Sequence, residues 1–148
     1  MTMNWELLFQ IANTLVLPFW ALMIFAPRWR WTEKIIGSLW SIALFALLYV
    51  FMLLSQAGAL TPGSGAGLLP PTLAGVAAGL GTPVGATIGW THFIAFDLFV
   101  GRWIYLDSRA TSRHPLWLGL ILFSTFMLGP LGFLMYLLDK NLRARRVA

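Results

Sequence analysis

Four apolar stretches of about 20 residues each leave this chain little choice of architecture. They run over residues 5–26, 35–54, 86–106 and 116–138. Each matches the length a helix needs to cross a bilayer, where every backbone polar group must be satisfied within its own segment. The first stops at Pro27, which cannot continue a helical ladder. Only 10% of the 148 residues are charged and 59% are hydrophobic, whereas soluble domains carry about 25% charged residues. The expected fold is all-α: a polytopic integral membrane protein of four transmembrane helices, forming a single domain over residues 1–148.

The charged minority fits that picture. The net charge is +5, but the cations sit between apolar spans and not on one amphipathic face. There, Lys and Arg anchor helix ends among lipid headgroups, so membrane lipids are the expected partner and nucleic acid is not. Trp5, Trp20, Trp29, Trp31, Trp90, Trp103 and Trp117 lie at or near span ends, and Trp40 lies inside a span. Four spans would put the basic connectors Arg28 to Lys34 and Asp107 to His114 on one side of the membrane. The N-terminus, the long loop and the tail cations Lys140, Arg143, Arg145 and Arg146 would share the other. Both sides then carry cations, and the connectors are expected in the cytoplasm only because the N-terminus and long loop carry none. Cysteine is absent, which excludes disulfides, thiolate metal sites and cysteine nucleophiles. The first apolar run lacks a positive leader region, and no transit-peptide pattern precedes it, so a bacterial membrane, or an organelle-encoded or trimmed chain, is expected.

Residues 56–85 carry no charge and include Pro62, Pro70, Pro71 and Pro83. Gly75 and Gly79 are four apart, as are Gly81, Gly85 and Gly89, a spacing that lets helix backbones approach closely. This Gly/Pro-rich loop is expected to be partly embedded in the membrane, with a short helix from about Leu73 to Leu80. The alternative is a plain flexible linker.

Ionisable residues near the centre of a span cost about 2.5–3.5 kcal/mol and mark functional candidates. Asp97 is one. It must be protonated, or paired from another helix, because His92 and Arg102 each lie five positions away, about 140° around its own helix. Gly101 shares its face and leaves room for a neighbour. Ser124 and Thr125 lie at similar depth in the last span. Pro130 leaves the Phe126 carbonyl without a helical partner, which Asp97 could satisfy. The plain reading is a packing hydrogen bond without chemistry. Nearer the loop side, Glu6, Gln10 and Asn13 form one polar stripe on the first span, at the depth of His92. A pocket of these four suits a general acid or base, or a chlorophyll ligand at His92; the alternative is an interfacial histidine with no further role. His92 and His114 cannot share a haem, being separated by over roughly 20 Å of helix. The carboxylate pattern of a di-iron bundle is absent, and Gly63 to Gly67 lacks the lysine of a phosphate loop. On the connector side Asp107 and Arg102 are candidates to pair, with Arg109 and Arg113 as interface anchors.

The block from Trp90 through Asp107, reading WTHFIAFDLFVGRWIYLD, followed by His114-Pro115 and Gly129-Pro130-Leu131-Gly132, resembles the abscisic-acid-deficient type-four family of membrane proteins. Its plant members are plastid proteins needed for neoxanthin formation. The resemblance covers roughly the second half of the chain and implies a carotenoid-related function in a bacterial cytoplasmic or thylakoid-type photosynthetic membrane. It carries over Trp90, His92, Asp97, Gly101, Arg102, Trp103 and Asp107. The family pattern implies an acidic residue before the third span, where this chain has Leu73-Ala74-Gly75. The implied reaction converts an epoxy-carotenoid to an allenic one, with Asp97 as acid and His92 as base, offset by about 7.5 Å of helix rise. Phe93, Phe96, Phe99, Trp103 and Tyr105 would suit polyene packing, as they would ordinary helix packing.

Three functions stay open at this point. The first is a carotenoid isomerase, or its partner, needing no cofactor. The second is a non-catalytic carotenoid- or chlorophyll-binding subunit of a homo-oligomer or larger membrane complex. The third is a small transporter or channel using Asp97, which the lack of an inverted repeat disfavours. Loss of turnover, of pigment or of flux in His92 and Asp97 variants separates them.

Overall fold

The computed structural model describes residues 3–57, 72–111 and 113–147, so most of the Gly/Pro-rich stretch lies outside the described residues. Among the described residues the fold is all-helical: α1 (Trp5–Phe25), α2 (Arg30–Gly37), α3 (Trp40–Ser55), α4 (Leu73–Leu80), α5 (Pro83–Arg109), α6 (Pro115–Leu128) and α7 (Pro130–Val147). Two helices among the described residues are long and apolar enough to cross a membrane, α1 and the Pro83–Ser108 part of α5. A third span exists if α2 and α3, bent by 40° at their junction, are taken together.

The second expected span therefore begins differently. Residues 30–37 form a separate amphipathic helix that absorbs much of the first connector, burying Thr32 and Ile36 and exposing Trp31, Glu33 and Lys34. Ser38 breaks the run: its backbone is extended and its hydroxyl accepts the Trp40 N–H, capping α3. Trp40 consequently opens α3 and is 75% exposed, in place of the mid-span position expected for it.

The last expected span is overturned more completely. Residues 116–138 do not form one helix. α6 ends at Leu128, Gly129 is its C-cap, and α7 starts at Pro130. Proline lacks the N–H that a continuing helix requires but suits a first helical position. α7 then returns along α6. Trp117 Nε1 donates to Asp139 Oδ1 over 3.1 Å, and the missing side chain of Gly132 lets it sit directly on Thr125. At 14 residues, α6 is about 21 Å long, short of the roughly 30 Å hydrocarbon core. The hairpin leaves at the level where it entered, so the tail cations lie with the second connector, not across from it.

The chain comprises two compact units. The first holds residues 1–15 and 43–95. Its buried positions include Ala12, Phe45, Met52, Thr91 and Ala95. α4 spans the predicted Leu73–Leu80 and packs on the start of α5, where a side chain at Gly85 would strike the Gly79 carbonyl. Thr82 ties the two helices, donating to Gly79 O and accepting from Gly85 N. The second unit holds residues 16–42 and 96–148, with Trp20, Met23, Ile36, Leu98, Ile104, Tyr105, Ile121 and Tyr136 buried. Trp20, expected near a span end, is a core residue: only 2% exposed, it lies over Gly101, with its ring 5.2 Å from Phe126.

Candidate functional site

In the second unit α5 and α7 run side by side in the same direction. Successive contacts pair Asp97 with Gly129, Trp103 with Phe133 and Tyr136, and Asp107 with Tyr136 and Lys140. Asp97 thus stands at the tip of the α6–α7 hairpin, its carboxyl against the buried Gly129. Among the described residues it makes no hydrogen bond or ion pair, so the expected bond to the Phe126 carbonyl is not formed. Thr125, at the same depth, is fully buried and donates to Ile121 O within its own helix. Pro130 is exposed at the start of α7. Gly101, one turn on from Asp97, is occupied by Trp20, as its small size allows.

Asp97 also lies at a border. At about 100° per residue, Phe96, Phe99 and Trp103 share one face of α5, and all three are exposed, at 58%, 49% and 36%. Leu98 and Tyr105 make up the opposite, buried face. Asp97 is only partly buried, between the two.

Below the hairpin tip a polar network closes the unit. Arg113, expected as an interface anchor, has a side chain only 1% exposed. Its Nε donates to Asp139 Oδ2 over 2.7 Å, and its Nη1 to Tyr136 Oη and Thr111 Oγ1 over 2.9 and 2.7 Å. Tyr136 in turn donates to Asp107, which also accepts from Lys140 Nζ at 2.8 Å. Burial of Asp139 would raise its pKa, but hydrogen bonds from Arg113, Arg143 and Trp117, with the Arg143 charge, hold the carboxyl below its ordinary value. The expected Asp107–Arg102 pair is not made. Arg102 points to another part of the unit and donates to Ile36 O and Gly37 O, both over 2.7 Å, at the negative end of α2. Arg109 pairs with Glu33 over 2.8 Å.

The remaining candidates belong to the first unit. Gln10 Nε2 donates to Glu6 Oε1 over 2.8 Å on the exposed face of α1. Asn13 accepts from Trp90 Nε1 over 2.9 Å, so the aromatic of the WTH block reaches the polar stripe. His92 lies with its ring centroid 5.3 Å from that of Tyr49. Phe93 is 54% exposed. His92 and Asp97 fall in different units. Sequence reasoning missed Tyr136 and Asp139. The Gly129-Pro130 break was the available signal, since a turn there brings residue 139 back to residue 113.

The family model described as ABA DEFICIENT 4-like matches residues 7–136. The chain is 29% identical over 121 residues to Protein ABA DEFICIENT 4, chloroplastic, of Arabidopsis thaliana, covering 76% of this chain and 54% of that protein. The chain thus spans about half the length of the curated relative it matches. No solved structure matches.

Proposed function

Since the chain belongs to the ABA DEFICIENT 4-like family, we propose that it is a membrane protein of carotenoid metabolism that isomerises an epoxy-carotenoid to an allenic one. The observation that supports this reading is the position of Asp97. It is a carboxyl within a span, without an ion-pair partner among the described residues, beside the exposed row Phe96, Phe99 and Trp103. A polyene lying along that row in the bilayer would bring a polar end group to the carboxyl. Protonation of the epoxide oxygen breaks a C–O bond and leaves a hydroxyl. Loss of a proton from the adjacent polyene carbon then forms the cumulated double bond, so atoms balance and no redox partner is needed. Asp97 is the proton donor in this scheme. The carboxylate that this leaves takes up the proton lost from carbon, so donor and acceptor are one residue.

In the bilayer we place three spans, α1, the α2–α3 pair and α5, with the α6–α7 hairpin entering and leaving on one face. The membrane is of the bacterial cytoplasmic or thylakoid type.

The test is expression in a host that accumulates epoxy-carotenoids, with pigments separated by chromatography. An allenic product with the wild type, lost in Asp97→Asn at equal protein level, is the expected result. No product from wild-type protein in that membrane, or full product from Asp97→Asn, sinks the assignment. A second reading, a non-catalytic pigment-binding subunit of a larger complex, draws on the same exposed aromatic row. It predicts carotenoid or chlorophyll copurifying in stoichiometric amount with no product formed.

A further inference from the structure

The second unit contains a cavity of about 550 Å³ where α1 and α5 end, far along α5 from Asp97. Its eleven lining residues include Arg28, Arg109, Arg113 and His114, and no carboxylate. Several lining donors are already committed. Ser108 Oγ donates to Tyr105 O, Thr111 Oγ1 to Ser108 O, and Arg113 is bound to Asp139, Tyr136 and Thr111. Arg109 gives Nη2 to Glu33 and makes only longer contacts, 3.3 and 3.4 Å, to Tyr105 Oη and Pro27 O. Arg28 makes no hydrogen bond or ion pair among the described residues, and the His114 side chain makes no capping bond to α6. The cavity therefore offers an unspent guanidinium, a partly spent one and an imidazole around a space with no counter-charge of its own.

Depth identifies what such a space would meet. α1 ends at Phe25 and the candidate span within α5 at Ser108. Arg28, Arg109 and His114 follow these ends within six residues, where a bilayer around the spans would put its headgroups. All ten Lys and Arg of the chain fall within the residue ranges of this unit. Guanidinium groups bind phosphate oxygens in charge-assisted, often bidentate bonds. We infer that this cavity binds the phosphate of an anionic phospholipid headgroup, gripped by Arg28 and Arg109.

The test titrates the detergent-solubilised full chain with dihexanoyl-phosphatidylglycerol, dihexanoyl-phosphatidylcholine or sodium phosphate, following the rise in unfolding temperature. Expected is a saturable rise with the phosphatidylglycerol, little with the phosphatidylcholine, and a midpoint shifted at least about tenfold in Arg28→Gln. Arg28 has no partner to lose, so this variant should fold normally, which its helical circular dichroism checks. Arg145→Gln removes an equal charge from the tail and should leave the midpoint unchanged. Sodium phosphate matching the phosphatidylglycerol, with the same Arg28 dependence, would overturn the lipid source and assign the cavity to a soluble phosphate. Equal responses to both lipids, no saturable response, or equal losses in Arg28→Gln and Arg145→Gln overturn the site.

Discussion

Arg113 and Asp139, 26 positions apart, meet over 2.7 Å and close the open end of the α6–α7 hairpin. The Arg113 side chain is 1% exposed and that of Asp139 12%, so this is a buried pair. Its value lies less in net attraction than in what happens when one partner is removed.

Asp139→Ala strands the Arg113 charge in the core and is expected to destabilise the protein by about 3 kcal/mol. The double change Arg113→Met with Asp139→Leu should recover most of that loss. Thermal or denaturant unfolding in one detergent measures both. A double variant no more stable than the single one would show that the pair is not what closes the hairpin.

The same pair sets an acid limit. The folded-state pKa of Asp139 lies below its ordinary 3.8. Its contribution is thus fully present above that value and is lost as pH falls through the lower folded one. The stability gap between wild type and Asp139→Asn should hold steady from pH 7 down to about 4 and narrow below it. A gap that widens on acidification contradicts the assignment.

Topology is directly testable because the chain has no cysteine. Arg30→Cys, in the first connector, and Arg145→Cys, in the tail, should react with an impermeant thiol reagent from the same side of sealed vesicles. That side should be the cytoplasmic one, since positive charge is retained there. Labelling from opposite sides would restore a continuous fourth span.

Glycine sites probe the surroundings of Asp97. A Cβ at Gly129 would run into the Asp97 carboxyl. Gly129→Ala should displace that group and reduce product formation more than it reduces stability. Gly119→Ala, whose added Cβ lies 3.6 Å from the nearest atom, Ile24 O, is the neutral control. Equal activity in the two variants removes Asp97 from the chemistry.

Gly101→Val places its Cβ 2.5 Å from the Trp20 ring and should cost roughly 1–3 kcal/mol as overpacking. Trp20→Leu in the same chain should relieve part of that cost, as read by unfolding temperature. No relief would mean the strain falls on the backbone.

Helix class, membrane character and the short helix over Leu73–Leu80 were legible in the sequence. Each depends on local quantities: the length of an apolar run, the scarcity of charge, and a cluster of small residues between prolines. Asp97 was legible too, because an acid among apolar neighbours stands out without knowledge of what packs beside it. The fate of residues 116–138 was not. Their hydropathy is the same whether they cross the bilayer once or enter and return. The decision rests with Gly129 and Pro130, and with whether a returning α7 finds partners. Arg113, Trp117 and Thr125 supply them, through Asp139 and Gly132. That choice of pairing decided which end gathers the tail cations, why Arg113 is buried, and that the hairpin tip comes to rest on Asp97. The sequence by itself determined what could enter the membrane, since transfer into lipid is a sum over neighbouring residues. Only the tertiary structure decided where each segment stops and what it meets, since those contacts join residues far apart in the chain.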